Sequence, residues 1–285
     1  MDDPTPLVST AWLGDRLDDA GVRVLDGSWH LPTEGRNARA EFDEAHIPGA
    51  RFFDIDAVSD EGSALPHMAP GAEVFTERTR DLGVGEGDRV VVYDTRGIFS
   101  AARVWWLFRL MGHRDVAVLD GGLPKWRAEG RPVTGDAAAA APGERALRPE
   151  RQEGLIADAA VVARALEMGE RQVVDARPAA RFRGEAPEPR EGLRAGHMPG
   201  ARNLPFTAVL NPDGTMKDAA GLRAAFEGAG VDPDRPVVTT CGSGVTAAVL
   251  SLALARLGNE DVALYDGSWA EWGLGGDRPV ATGDA

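Results

Sequence analysis

The sequence predicts an α/β protein built from two tandem copies of one domain, each a mainly parallel sheet with helices on both faces. Two observations carry this prediction. The two halves of the 285-residue chain repeat each other segment by segment. Within each half, short β-branched runs alternate with longer segments of helical period, the pattern of parallel strands joined by crossover helices.

The repeat can be followed in chain order. Val22-Arg23-Val24-Leu25-Asp26 reads as a buried strand, and Gln172-Val173-Val174-Asp175-Ala176-Arg177 takes its place in the second half. Ala45-His46-Ile47-Pro48-Gly49-Ala50-Arg51 is echoed by Gly196-His197-Met198-Pro199-Gly200-Ala201-Arg202. Val90-Val91-Val92-Tyr93-Asp94 matches Val237-Val238-Thr239-Thr240-Cys241, and each run leads through a glycine turn into a helical segment. In the first half that helix includes Arg103-Val104-Trp105-Trp106-Leu107-Phe108-Arg109-Leu110, whose tryptophans are expected in the core. Val116-Ala117-Val118-Leu119-Asp120-Gly121-Gly122 matches Val262-Ala263-Leu264-Tyr265-Asp266-Gly267-Ser268, with Trp126 and Trp272 close behind. The expected domains are residues 1–134 and 155–285. A linker at 135–154 carries an alanine run that Pro142 and Gly143 would stop from continuing as a helix.

Composition narrows the function classes. The apolar share of 43% and charged share of 27% fit a globular protein. A net charge of -14 argues against nucleic acid and anionic membranes as partners. No apolar stretch approaches the roughly 18–20 residues needed to span a bilayer. The first residues, Met1-Asp2-Asp3-Pro4, are acidic and lack a basic-then-apolar signal pattern, so a cytoplasmic location is expected. One cysteine excludes an intramolecular disulfide, and the five histidines show no metal-ligand spacing.

That one cysteine, Cys241, sits where a strand ends and the turn Gly242-Ser243-Gly244 opens a helix. A thiol at such a place faces backbone N–H groups that favour its anion, which suits a nucleophile or a sulfur carrier. In open α/β sheets ligands bind beyond the carboxyl ends of the strands, where Cys241 is expected. Asp94 occupies the matching place in the first half. One copy therefore keeps a thiol and is expected to be the active one, and the other is a supporting, catalytically inactive copy. His46 and His197, both before Pro-Gly turns, are expected to make structural hydrogen bonds. Asp26 and Asp175, at the ends of matched strands, are expected to brace loops.

Taken together, His46-Ile47-Pro48-Gly49-Ala50, the Trp105-Trp106 helix, Asp120-Gly121-Gly122, His197-Met198-Pro199-Gly200-Ala201 and the Cys241 loop resemble the rhodanese family of two-domain sulfurtransferases. The resemblance spans nearly the whole chain. It implies two tandem rhodanese-like α/β/α domains with the working thiol in the C-terminal one. Cys241-Gly242-Ser243-Gly244-Val245-Thr246 resembles the loop of the branch that uses 3-mercaptopyruvate. The thiosulfate-using branch carries basic residues where this chain has Gly242 and Ser243, and without that charge a dianion is held less well. The same branch is resembled at Arg181-Phe182-Arg183-Gly184, Glu188-Pro189-Arg190, Phe52-Phe53-Asp54-Ile55-Asp56 and Pro66-His67-Met68.

By matching position, the resemblance implies that Arg181 and Arg190 hold the substrate carboxylate and ketone, with Arg183 a further candidate. Gly242, Gly244, Val245 and Thr246 form the anion cradle. Asp56 and His67 are implied as partners of Ser243, with His67 exchanging a proton with Ser243. The implied reaction moves sulfur from 3-mercaptopyruvate through a Cys241 persulfide to a thiol acceptor, such as a thioredoxin-type protein, or to cyanide. No metal or organic cofactor is called for. The alternatives are thiosulfate as the donor, or a non-enzymatic sulfur carrier.

Two other classes fit poorly. Gly242-Ser243-Gly244-Val245-Thr246-Ala247 matches a dinucleotide-binding glycine motif, but too little chain follows it for the usual fold, and Cys241 has no role there. A cysteine phosphatase needs an arginine six residues after the cysteine to hold phosphate, and that position is Ala247.

Overall fold

The computed structural model describes residues 6–136 and 146–284. The alanine run of the expected linker, with Pro142 and Gly143, lies outside the described residues, as do residues 1–5.

In the first half the elements are β1 (Leu7–Val8), α1 (Thr10–Gly14), β2 (Val22–Asp26), α2 (Ala38–Glu44), β3 (Arg51–Phe52), α3 (Ala72–Asp81), β4 (Arg89–Tyr93), α4 (Ala101–Leu110), β5 (Val116–Leu119) and α5 (Gly122–Ala128). The strands form one sheet in the order β1-β5-β4-β2-β3, every neighbour parallel. The second half repeats this: β6 (Ile156–Ala157), α6 (Ala159–Met168), β7 (Gln172–Asp175), α7 (Ala179–Phe182), β8 (Arg202–Asn203), α8 (Ala219–Gly228), β9 (Val237–Thr240), α9 (Ala247–Arg256), β10 (Val262–Tyr265) and α10 (Ser268–Trp272). Its sheet runs β6-β10-β9-β7-β8, again parallel throughout.

The central strands explain why the sequence reads as continuous β-branched runs. All residues of β5, β9 and β10 are buried, so both faces of each sheet are covered. The helices leaving β4 and β9 are apolar nearly all round and correspondingly buried. In α4 only Arg109 reaches the surface in part, and in α9 every residue from Ala247 to Leu254 is buried. Trp105 and Trp106 are core residues, as expected, and Trp126 is buried as well.

The repeat extends to atomic detail. His46 Nδ1 lies 2.7 Å from the Phe42 carbonyl with the two rings stacked at 4.0 Å. His197 Nδ1 lies 2.9 Å from the Phe182 carbonyl with its ring stacked at 3.9 Å on that residue. The Trp126 indole donates to Pro132 O and the Trp272 indole to Pro279 O. Asp26 and Asp175 each accept the N–H two residues on, bracing the turn after the strand.

The chain divides into two compact units, and their membership is not contiguous. Of the described residues, one holds 6–61, 69–136, 146–152 and 212–216, and the other holds 62–68, 153–211 and 217–284. A contiguous repeat cannot foresee this exchange, because long-range packing decides it. Of the expected linker, residues 146–152 belong to the first unit, where Leu147 is buried and Gln152 N–H donates to Leu110 O, and residues 153–154 belong to the second.

Candidate active site

Cys241 follows directly on β9, and α9 begins at Ala247. Between them residues 241–246 form a tight loop in which Cys241, Ser243 and Val245 are 2%, 5% and 3% exposed. Gly244 has φ +78, a left-handed conformation that glycine adopts without strain, and it turns the chain from strand into helix. Val245 O and Thr246 O accept the first N–H bonds of the helical turn, from Ala248 and Val249. Among the described residues no protein acceptor takes the N–H groups of residues 242–247.

The rear of the loop is bolted to α10. Trp269 N–H donates to Cys241 O at 2.9 Å, and Ala270 N–H to Gly242 O at 2.8 Å. Cys241 N–H donates to Ser268 Oγ at 3.2 Å, and that hydroxyl donates to Tyr265 O at 2.8 Å. Ser268 is fully buried with φ +48, an uncommon conformation for a residue with a side chain. Sequence reasoning missed this serine. Its signal was in the repeat: Ser268 stands where the first copy has Gly122, also left-handed at φ +54.

The first unit shows how such a loop treats an anion. Asp94 follows Tyr93 as Cys241 follows Thr240, and those strand ends are registered against Asp26 and Asp175 respectively. Asp94 Oδ1 accepts the Arg96 N–H at 2.8 Å, and Oδ2 accepts the N–H groups of Phe99 at 2.7 Å and Ala101 at 2.9 Å. This loop, residues 94–100, is one residue longer than 241–246 and is filled by its own carboxylate. The N–H groups of the loop around Cys241 have no such internal acceptor among the described residues.

Arg181, on α7, lies against the loop. Its Nη2 is 3.0 Å from where a side-chain carbon at residue 242 would stand, so the bare face of Gly242 makes room for the guanidinium. Nη2 also donates to Glu188 Oε2 at 2.5 Å, while the buried Nε has no hydrogen-bond partner among the described residues. Arg190 Nη2 lies 3.2 Å from His67 Nε2. His67 belongs to the second unit despite its place in the first half of the sequence; it is 7% exposed and left-handed at φ +60. A buried, strained histidine differs from the surface residue that a Pro/Gly-rich loop suggests, and such strain collects at functional sites.

Asp56 belongs to the first unit, where the Trp29 indole donates to its Oδ2 at 3.1 Å. Arg183, just after α7, pairs with exposed Glu185 at the surface, so it and Arg181 take different partners. Two further residues escaped sequence reasoning. Arg177 is 1% exposed, clamped on Asp175 and stacked 4.3 Å from the Trp269 ring; Glu188 bridges it to Arg181. Among the described residues no cluster of three His, Cys, Asp or Glu side chains could hold a metal ion, and no helix is long and apolar enough to cross a membrane.

Comparison with known proteins agrees with the repeated fold. The rhodanese-like domain model matches twice, over residues 9–129 and 158–274. The chain is 46% identical to human 3-mercaptopyruvate sulfurtransferase over 93% of its length and 91% of the relative's. It is 43% identical to the Escherichia coli 3-mercaptopyruvate sulfurtransferase, covering 97% of this chain and 98% of that one. The Arabidopsis thaliana thiosulfate/3-mercaptopyruvate sulfurtransferase 1, mitochondrial, is 43% identical, over 96% of this chain and 78% of its own. Among crystal structures, Escherichia coli SseA superposes with a TM-score of 0.84 at 41% identity, covering 94% of this chain and all of that one. Tum1 of Saccharomyces cerevisiae superposes at 0.89 with 32% identity, over 98% and 99% of the two chains.

Proposed function

This chain belongs to the rhodanese family, and we propose that it is a sulfurtransferase that takes sulfur from 3-mercaptopyruvate through a persulfide on Cys241, releasing pyruvate. The observation that carries the choice of donor is the place of Arg181. Its Nη2 stands 3.0 Å from where a side-chain carbon at residue 242 would lie, so a side chain there would press on the guanidinium. A reader of carboxylates thus stands over the loop, where a basic loop residue would displace it.

The chemistry follows from the residues. Cys241, as thiolate, attacks the sulfur of 3-mercaptopyruvate. A sulfur–sulfur bond forms, the carbon–sulfur bond breaks, and its electron pair passes into the enolate of pyruvate. Protonation at carbon completes the product. Arg181 and Arg190 hold the carboxylate and ketone and offset charge on the developing enolate oxygen. Ser243 relays the proton, with His67 and Asp56 as its partners. The N–H groups of Gly242, Gly244, Val245 and Thr246 hold the outer sulfur, as the first unit's loop holds the Asp94 carboxylate. An acceptor thiolate, on a thioredoxin-type protein or a small thiol, then attacks that outer sulfur and returns Cys241 to its starting state. Asp94 cannot carry sulfur, so the first copy is the inactive one. The cycle needs a reduced thiol, which fits a reducing compartment such as the cytoplasm.

The test is a paired steady-state assay of 3-mercaptopyruvate and thiosulfate with cyanide as acceptor, on wild type and Cys241→Ser. The reading requires kcat/KM for 3-mercaptopyruvate to exceed that for thiosulfate by about tenfold or more, with Cys241→Ser inactive. Preference for thiosulfate overturns the donor assignment, and no turnover of either turns the reading to a sulfur carrier.

A further inference from the structure

We infer that Glu188 is a positioning residue whose carboxylate fixes the Arg181 guanidinium over the Cys241 loop, setting the preference of the thiol for carboxylate-bearing partners. This deepens the reading above and rests on Arg181 as the carboxylate reader.

The argument starts at the sheet. Asp175 ends β7, and Arg177 folds back on it: Nε lies 2.9 Å from Oδ2, and Nη2 lies 2.6 Å from the same oxygen. Arg177 Nη2 also donates to Gly196 O at 2.9 Å. Burial by itself would lower the Arg177 pKa, but the Asp175 and Glu188 carboxylates outweigh it and the net shift is upward. This guanidinium is therefore a fixed, permanently charged post. Its Nη1 donates to Glu188 Oε1 at 2.8 Å, and the other oxygen of Glu188 takes Arg181 Nη2.

The Glu188 side chain is 2% exposed, Arg177 and Asp175 are each 1%, and only Arg181, at 18%, is partly open. The result is a relay of two carboxylates and two guanidiniums running from β7 to Gly242. Its inner three members cannot move without stranding a buried charge. An arginine side chain is otherwise costly to hold in one conformation. Here Glu188 takes a single nitrogen of Arg181, and among the described residues the rest of that guanidinium is not committed to a second carboxylate.

A bland role for Glu188, as a counter-charge only, makes the opposite prediction. Removing its negative charge leaves the site one unit more positive, so an anionic reagent should reach Cys241 faster. If Glu188 positions Arg181, the anionic reagent should lose its advantage although the site has become more positive.

The experiment compares alkylation of Cys241 by iodoacetate and by iodoacetamide in wild type, Glu188→Gln and Glu188→Asp, with circular dichroism as the folding control. The expected result is a fall of about fivefold or more in the iodoacetate-to-iodoacetamide rate ratio in Glu188→Gln, with the iodoacetamide rate near wild type. Glu188→Asp keeps the charge beside Arg177 but withdraws the carboxylate from Arg181. It should show the same fall, and it carries the test alone if the Gln variant does not fold. A ratio that rises or stays level in the folded variant overturns the inference. In parallel, KM for 3-mercaptopyruvate should rise about tenfold with a smaller change in kcat. If wild type does not turn over 3-mercaptopyruvate, the proposed donor fails, while the alkylation ratio still decides the role of Glu188.

Discussion

The hydroxyl of Ser268 and the N–H of Cys241 are joined at 3.2 Å, and Ser268 holds a left-handed backbone to make that bond. In the first copy the equivalent Gly122 could not carry a side chain at all. A carbon there would come within 2.6 Å of Asp94 O and 2.5 Å of Gly97 O. The second copy has opened this corner just enough for a serine and uses it to pin the residue that carries the thiol.

The first prediction concerns that serine. Ser268→Ala keeps the strained backbone and loses the hydrogen bonds, and should cost about 1–2 kcal/mol of stability. Ser268→Gly loses the same bonds but releases the strain, so its loss should be smaller. Both should lower kcat/KM by about tenfold, because Cys241 is no longer pinned. Thermal melts and sulfur-transfer assays on the pair check this; equal activity in the Gly variant and wild type would remove Ser268 from the site.

A second prediction addresses Asp94. Its carboxylate takes three backbone N–H groups in the first unit's loop. Asp94→Ala should cost about 2–4 kcal/mol, since hydrogen bonds to a charged group are lost and buried donors are left without an acceptor. Denaturant unfolding measures this. A variant as stable as wild type would show that the filled cradle contributes nothing to folding.

Asp26 supplies a pH dependence. Burial, the largest cause, raises its pKa from 3.8 to about 6 against the hydrogen bonds from Ser28, with the nearby charge of Asp94 adding to the rise. A carboxyl whose folded pKa is raised binds its proton more tightly in the folded state. The folded state therefore loses stability as pH rises from about 4 to about 6, and the penalty stays constant above. The shift corresponds to about 3 kcal/mol as an upper figure. Asp26→Asn keeps an oxygen for the Ser28 N–H and should be more stable than wild type at pH 8, with the gap closing toward pH 4. Melts at several pH values check the sign; a gap that widens on acidification would contradict it.

Gly242 gives the last prediction. The methyl of Gly242→Ala would stand 3.0 Å from Arg181 Nη2, so the guanidinium must shift by a few tenths of an ångström. KM for 3-mercaptopyruvate should rise about threefold to tenfold while iodoacetamide alkylation of Cys241 is little changed. A rise in KM for thiosulfate equal to that for 3-mercaptopyruvate would separate the effect from the carboxylate reader.

Much of this was legible in the sequence. The alternation of Val-rich runs with helical segments predicted the parallel sheets, because both periods are local properties of the chain. The match of Val90–Asp94 to Val237–Cys241 located both the loop with the thiol and the copy without it. The matched His46 and His197 were legible as structural because each precedes a Pro-Gly turn at the same place in its repeat.

What the sequence by itself determined is therefore the repeated α/β architecture, the loop of residues 241–246 and the replacement of cysteine by Asp94. Each follows from neighbours in the chain and from comparing one half with the other. Only the tertiary structure decided that Arg177, Glu188 and Arg181 form one relay, that Ser268 holds Cys241, and that His67 is buried beside Arg190 in the unit that carries the second copy. Those relationships join residues up to 123 positions apart. Burial and the need to pair every buried charge select them, and neither leaves a periodic mark in the sequence.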